Sequence, residues 1–327
     1  MNIKTFFLPV IILSILILGI LGGCGSSDKK GQQTEGENAR IAISGAFALY
    51  PLVTTWAEEF NKTHPNIQFD IQAGGAGKGM ADVMAGATDL GMFSRNFTQA
   101  EIDRGVWWVA VTKDAVIPTI STENPYLEEL HKQGVTQEDL ATIWLNNEYP
   151  HWGDVIDLEE GRGEQITVFA RSDAAGAAET FASYFGAHQE DMNGVGIMGD
   201  PGLADAVRRD PLSVGFNNTI YVYDVESGQK NEGIEIIPFD LNTNGVLDED
   251  EDFYDNFSAI LKAVGSGKYP SPPARELYLI TNGEPEQQAV IAFLEWVLTE
   301  GQQFVRPSGY VPLNEAYIRD QLSKLQN

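Results

Sequence analysis

Cysteine is almost missing from this chain. Cys24 is the one cysteine in 327 residues, which excludes an intrachain disulfide and a cysteine-built metal cluster. Histidine is scarce as well. His64, His131, His151 and His188 are scattered and do not have the spacing of a zinc site. Cations are few, with 21 Lys and Arg against 47 Asp and Glu, a formal charge of −26. Such a surface repels nucleic acid and anionic membranes, so neither is an expected partner. It also opposes an anionic ligand at long range, and an anion site here must work through close, fixed donors. Neither Ser44 nor Ser172 has a paired base and orienter nearby in sequence. These serines read as caps and turns. No apolar run reaches the ~20 residues of a membrane-spanning helix.

The longest apolar run, Phe6 to Leu21, follows Lys4 and ends at Gly22-Gly23-Cys24. A positive start, a short apolar stretch and small residues describe an export signal. Small residues ending on cysteine resemble a bacterial lipoprotein signal. The expectation is therefore a signal over 1–23, cleavage before Cys24 and lipid on its sulfur. Cleavage would remove Lys4 and no acid, taking the charge from −26 to near −27. Residues 24–39 are polar and glycine-rich and read as a flexible tether.

Periodic sequence begins at Ile41. Ile41 and Ile43 precede a small-residue turn, and Val53, Trp56, Ala57 and Phe60 follow at helical spacing behind Pro51. Ile67, Phe69 and Ile71 alternate as a strand; "GGAGKG" (74–79) and a short amphipathic helix follow, then "DLGMFS" (89–94). Strand, loop and helix in succession predict a parallel α/β fold with ligands beyond the strand ends. A second α/β region starts near Thr119. It includes "DLATIW" (139–144), the strand "QITVFA" (165–170) and "SVGFNN" (213–218). The expected division is lobe 1 over 40–118 with 276–327, and lobe 2 over 119–275. Trp107 and Trp108 read as core or crossover packing.

Two loops suit an anion. "GGAGKG" is no nucleotide loop, because Gly79 follows Lys78 where a magnesium-holding hydroxyl is needed. It reads as a tight turn or as a helix start offering N–H groups. "RSDAAGAAETF" (171–181) places an arginine ahead of a helix start, yet spends alanine where an oxyanion site usually has hydroxyls. Together with "SGAFALYPLVTTWAEEF" (44–60) and "GYVPL" (309–313), these segments resemble the substrate-binding protein of bacterial phosphate ABC importers. The resemblance covers nearly all of 41–327. It implies the periplasmic binding protein type 2 fold, two α/β lobes joined by two crossovers around one buried anion.

The resemblance also implies a site. The family's arginine falls on Arg171, the acid that orients it on Asp173, and the glycine of its third loop on Gly176. The hydroxyl residues beside that glycine are replaced by Ala175 and Ala177. The serine of the glycine-rich loop is Ala76, next to Gly77. The first-loop threonine is Phe47, followed by Ala48. The aspartate that accepts a proton from hydrogen phosphate falls on Ser94. A hydrogen bond to a charged group contributes roughly 1.5–3 kcal/mol, so losing several hydroxyls bears heavily on affinity. The expectation is an anion held by Arg171, backbone N–H groups and Ser94, with a weakened preference for protonated phosphate. Phe47 could stack on an organic ligand or simply pack.

"DLNTNGVLDEDE" (240–251) matches the twelve-residue calcium-loop spacing. Asp240, Asn242 and Asn244 supply side-chain oxygens, Val246 its carbonyl, Asp248 the ninth position and Glu251 the twelfth. Gly245 permits the turn. A structural calcium ion is the expected cofactor; a solvated acidic turn is the alternative.

The sequence therefore reads as an exported, lipid-anchored, monomeric and non-enzymatic binding protein that delivers a small oxyanion, phosphate above all, to a membrane ABC permease. The alternatives are a different anion or an organic phosphate on the same fold, a sensor, a secreted phosphate-ester hydrolase, or a surface protein with a vestigial cleft.

Overall fold

The computed structural model describes residues 38–146, 150–158 and 162–326. The expected signal over 1–23, Cys24 and the tether up to residue 37 lie outside the described residues. None of the helices in the described part is long and apolar enough to cross a membrane.

Among the described residues there are nine strands: β1 (Ala39–Gly45), β2 (Ile67–Ala73), β3 (Leu90–Phe93), β4 (Val106–Ser121), β5 (Thr167–Arg171), β6 (Val195–Ile197), β7 (Ser213–Asn218), β8 (Ile234–Ile236) and β9 (Ala274–Asn282). Their order is β2-β1-β3-β9-β4-β7-β5-β6, with β8 on β4. The pairs β1–β2 and β1–β3 are parallel, as are β5–β6 and β5–β7. These are the two α/β halves that the alternating pattern predicts. β3 and β4 both run antiparallel to β9, and β4 runs antiparallel to β7.

The long strand β4 makes the connection. From Val106 to Ala115 it pairs with β9, and from Val116 to Ile120 with β7. β9 returns the chain to the first half. One hydrophobic core gathers Ile41, Ile43, Trp56, Phe60, Val109, Leu279 and Phe293; the other gathers Ile117, Trp144, Phe181, Leu203, Phe216 and Phe239. The helical spacing read from Val53, Trp56, Ala57 and Phe60 is the buried face of helix Tyr50–Asn61, with Pro51 in its first turn. The Trp56 indole N–H donates to the Gly301 carbonyl at 2.8 Å, so this large side chain is buried with its polar atom satisfied. Trp108 is half-buried and packs on Phe97, with ring centroids 4.4 Å apart.

The strand expected over 165–170 forms later, and Arg171 becomes its last residue. A strand-end arginine is fixed by the sheet, whereas one in a free loop is not. The three loops that the sequence singles out follow β1, β2 and β5, and all three lie at the junction of the two halves.

Candidate functional site

Arg171 is the centre of the junction. Its side chain is 1% exposed. Nε donates to Asp173 Oδ1 at 2.8 Å and Nη2 to Asp173 Oδ2 at 2.6 Å. Nη1 donates to Asp200 Oδ2 at 2.6 Å. A guanidinium has five N–H groups, so two remain, one on each Nη. The Phe47 ring from the other lobe lies over the guanidinium at 5.6 Å and touches Gly199. Phe47 thus packs on the charged group itself.

Asp173 pairs with the arginine as the resemblance implies, from two residues beyond it. Its Oδ1 also accepts from the Gly199 N–H at 3.0 Å. Burial would raise the Asp173 carboxyl, but the hydrogen bonds and charge of Arg171 outweigh it and hold the group below its ordinary value.

Asp200 is the residue that the sequence did not reveal. It opens helix Gly199–Arg209 and is 1% exposed. Its Oδ1 accepts from Asn218 Nδ2 at 2.6 Å and from the Asn218 N–H at 3.4 Å. Asn218 Oδ1 in turn accepts from Arg275 on β9. Arg275 pairs with Asp114 on β4, with Nε to Oδ1 at 2.8 Å, and its Nη1 donates to Thr180 Oγ1 at 3.3 Å. Burial raises the Asp114 carboxyl, opposed by Arg275 and reinforced by Asp200. A continuous polar network therefore runs from Asp173 to Asp114 through both arginines.

The remaining predicted residues converge here. Ala48, Ala76, Ala175 and Ala177 are all buried, at 1–3% exposure. Gly176 faces Ser94: a Cβ on Gly176 would stand 2.2 Å from Ser94 Oγ, so no larger residue fits. The Ser94 carbonyl accepts from Thr180 Oγ1 at 3.5 Å. The Gly77 N–H donates to the Ala174 carbonyl at 3.0 Å, across the junction. That donor is engaged by the opposite lobe. Ala76 opens one helix and Gly176 another, and the first turn of a helix leaves N–H groups without partners of its own. Arg95, next to Ser94, pairs with Glu101 at 2.6 and 2.9 Å.

A cavity of 1080 Å³ opens beside this junction, lined by Gly77, Ala174 and Ala175 together with Lys113, Gln189 and Arg275. Its lining does not include Arg171.

The acidic loop stands apart from the cleft. Asp240 and Glu251 are buried, at 2% and 4% exposure. Asp240 accepts from the Gly245 N–H at 2.8 Å and the Asn244 N–H at 3.2 Å; Glu251 Oε1 accepts from the Leu241 and Asn242 N–H groups, both at 3.0 Å. Thr243 and Gly245 carry positive φ, 60° and 76°, which tightens the turn. The Asn242 and Asn244 amides donate to Asp248 Oδ2 at 2.8 Å each. Among the described residues, no group of three or more His, Cys, Asp or Glu is arranged to hold a metal ion. A calcium loop draws on Asn side chains and carbonyl oxygens as well as acids. The loop offers the oxygen donors that a calcium ion would take: two buried carboxylates, Asp248, two Asn side chains and a carbonyl.

Residues 31–300 match the family described as the PBP superfamily domain. The chain belongs to the PBP superfamily. Among PBP relatives it is 25% identical to the phosphate-binding protein PstS of Methanocaldococcus jannaschii, over 94% of this chain and 90% of the relative. It is 24% identical to the Bacillus subtilis phosphate-binding protein PstS, over 93% and 92%. A Clostridium perfringens protein solved with bound phosphate shares the PBP fold at a TM-score of 0.68 and 19% identity, covering 84% of this chain and all of that one. An ABC-type phosphate transport receptor from Vibrio cholerae does so at a TM-score of 0.60 and 17% identity, with the same coverage. These likenesses establish the fold of this PBP chain, and its ligand is a separate question.

Replacing Arg171 by Met would leave one buried carboxylate, Asp200, and one partly buried, Asp173, without their cation. Urea unfolding at pH 7.5 should show a loss of about 3–5 kcal/mol. The deficit should shrink toward pH 5. The stripped carboxyls then have folded-state pKa values above their unfolded ones, so the folded state gains protons first as pH falls. A fully stable variant would contradict the pairing.

Proposed function

We propose that this chain is the extracytoplasmic substrate-binding protein of an ABC importer, and that it takes phosphate or a related oxyanion at the junction of its lobes. One observation carries the reading. A buried guanidinium with two N–H groups left over stands where residues of both lobes meet, beside two helix starts. An oxyanion would bind Arg171 through those two groups and add backbone N–H donors from the helix starts at Ala76 and at Gly176–Ala177, since the Gly77 N–H is taken by the Ala174 carbonyl and the Ala175 N–H by Gln189 Oε1. Near-complete coverage of relatives named for binding phosphate supports the same reading. In the present arrangement Gly77 and Ala174 bond to each other, so a ligand must enter with the lobes parted and be enclosed on closure.

Calorimetric titration with phosphate, sulfate, molybdate, tungstate and glycerol phosphate tests this. Micromolar or tighter binding of at least one is expected, and its loss in Arg171→Met. No detectable binding of any would overturn the reading.

The protein would act at the membrane surface, linked through lipid on Cys24, as a monomer passing its ligand to the permease. Detergent-phase partitioning of the protein expressed with its signal, and its absence in Cys24→Ser, is the expected result. Equal partitioning of the two would refute the anchor.

Calcium would serve the fold. Asp240, Asn242, Asn244, the Val246 carbonyl, Asp248 and Glu251 would hold it. Chelation should lower the melting temperature by several degrees, roughly 2–4 °C per kcal/mol for a domain of this size, with recovery on added calcium but not magnesium. Identical melting with and without chelator would argue against the ion.

A further inference from the structure

We infer that Asp200 determines the specificity of the cleft: its carboxylate, held on Arg171, favours an oxyanion that carries a hydroxyl over one with no proton to give. The inference rests on the oxyanion reading above. With Ser94 at the position where the resemblance puts an acid, a preference for protonated anions is expected to be weak. The structure supplies a carboxylate from another element instead.

The lone pairs decide where that carboxylate can act. Each carboxylate oxygen has about two acceptor sites. On Oδ1 both are filled, by Asn218 Nδ2 and the Asn218 N–H. On Oδ2 one is filled, by Arg171 Nη1. The open acceptor is therefore on the oxygen that already shares a nitrogen with the ligand's own anchor. A tetrahedral anion seated on the second N–H of Nη1 brings further oxygens toward Oδ2. If one of them is a hydroxyl, it donates there.

Charge sets the sign of the effect. Asp173, Arg171, Asp200, Arg275 and Asp114 form one connected group. Three carboxylates against two guanidinium groups leave a net charge of −1 before a ligand arrives. Every member but the partly buried Asp173 has a side chain no more than 5% exposed, so screening by water is weak. An anion without a proton meets uncompensated repulsion at Asp200. A hydroxyl turns the same contact into a charge-assisted hydrogen bond. Asp173 has the same count of filled acceptors, two on Oδ1 and one on Oδ2, and Asp200 differs from it in deeper burial, 2% exposed against 9%, so its charge is the less screened of the two.

Monofluorophosphate separates charge from proton. At pH 8 it is a dianion like hydrogen phosphate, of similar shape, with fluorine in place of the hydroxyl. Titration of the wild type should give phosphate an advantage of about 10–100-fold over monofluorophosphate, the worth of one hydrogen bond to a charged group. Sulfate should fall with monofluorophosphate. Asp200→Asn keeps the shape and removes the charge, and should bring the three anions to similar affinity, chiefly by tightening the two without protons. Asp200→Ser serves if the first variant does not fold. Equal binding of phosphate and monofluorophosphate by the wild type would overturn the inference and leave the oxyanion reading standing, as would an unchanged ratio in either variant. A wild type that binds none of the three would remove both.

Discussion

A guanidinium with 1% of its surface exposed must be neutralised where it stands, and the junction of this protein is built around that demand. An unpaired buried charge costs several kcal/mol even after relaxation. Asp173 meets part of the demand from two residues away. Asp200 meets the rest from 29 residues away, and in doing so ties the start of helix Gly199–Arg209 to the end of β5. Asn218 then links Asp200 to Arg275, and Arg275 to Asp114, so that the ends of β5 and β7 and both crossover strands share one polar network. Apolar side chains of similar volume would hold the fold at least as well. Stability alone therefore does not account for five ionised groups at this spot, and the site at which the chain departs from a plain core is the site to which function is assigned.

Small residues let the two lobes meet around that network. Ala48, Ala76, Ala175 and Ala177 fill space without offering a donor, and Gly176 lets Ser94 approach to a distance no side chain would tolerate. Donation falls to the backbone and to Arg171. A main-chain N–H is fixed by its helix and costs no side-chain entropy to orient, so fewer donors can still be well placed. The consequence is a cleft that reads shape and charge through few contacts, with one cation already shared between two carboxylates.

Much of this was legible in the sequence because it is local. The buried face of helix Tyr50–Asn61 follows from spacing alone, and "SVGFNN" occupies β7 over its whole length. The pairing of Arg171 with Asp173 was implied by the family resemblance, and it is local enough for the sequence to carry it. Asp200 could not be anticipated. It sits before Pro201 in "MGDPG", where an aspartate most simply reads as a turn residue. Only the fold brings it to β5. Asn218 is equally unmarked, an amide at the end of an apolar strand. The same limit explains Phe47. Its aromatic character is evident in sequence, but its seat over Arg171 depends on the opposite lobe. The crossover was only partly legible too, because β4 runs on as one strand through the polar Thr112-Lys113-Asp114 and changes partners near Ala115, where the sequence reads as the end of one apolar run and the start of another.

The acidic loop poses the opposite charge problem. In the cleft, cations are present and acids exceed them by one. At Asp240 and Glu251 two buried carboxylates accept only from N–H groups of their own loop, among the described residues. Backbone dipoles lower the cost of a buried anion but do not cancel its charge. The loop is anchored at its start by the Asp240 N–H on the Val135 carbonyl and later by the Leu247 N–H on the Lys132 carbonyl, so it is held against helix Leu127–Gln133 and cannot swing out to hydrate its acids freely. On the calcium proposal, a hard divalent cation would offset that charge directly. Because none of its contacts reaches the arginine network, such a cation would act on the stability of the second lobe and leave ligand choice to the cleft.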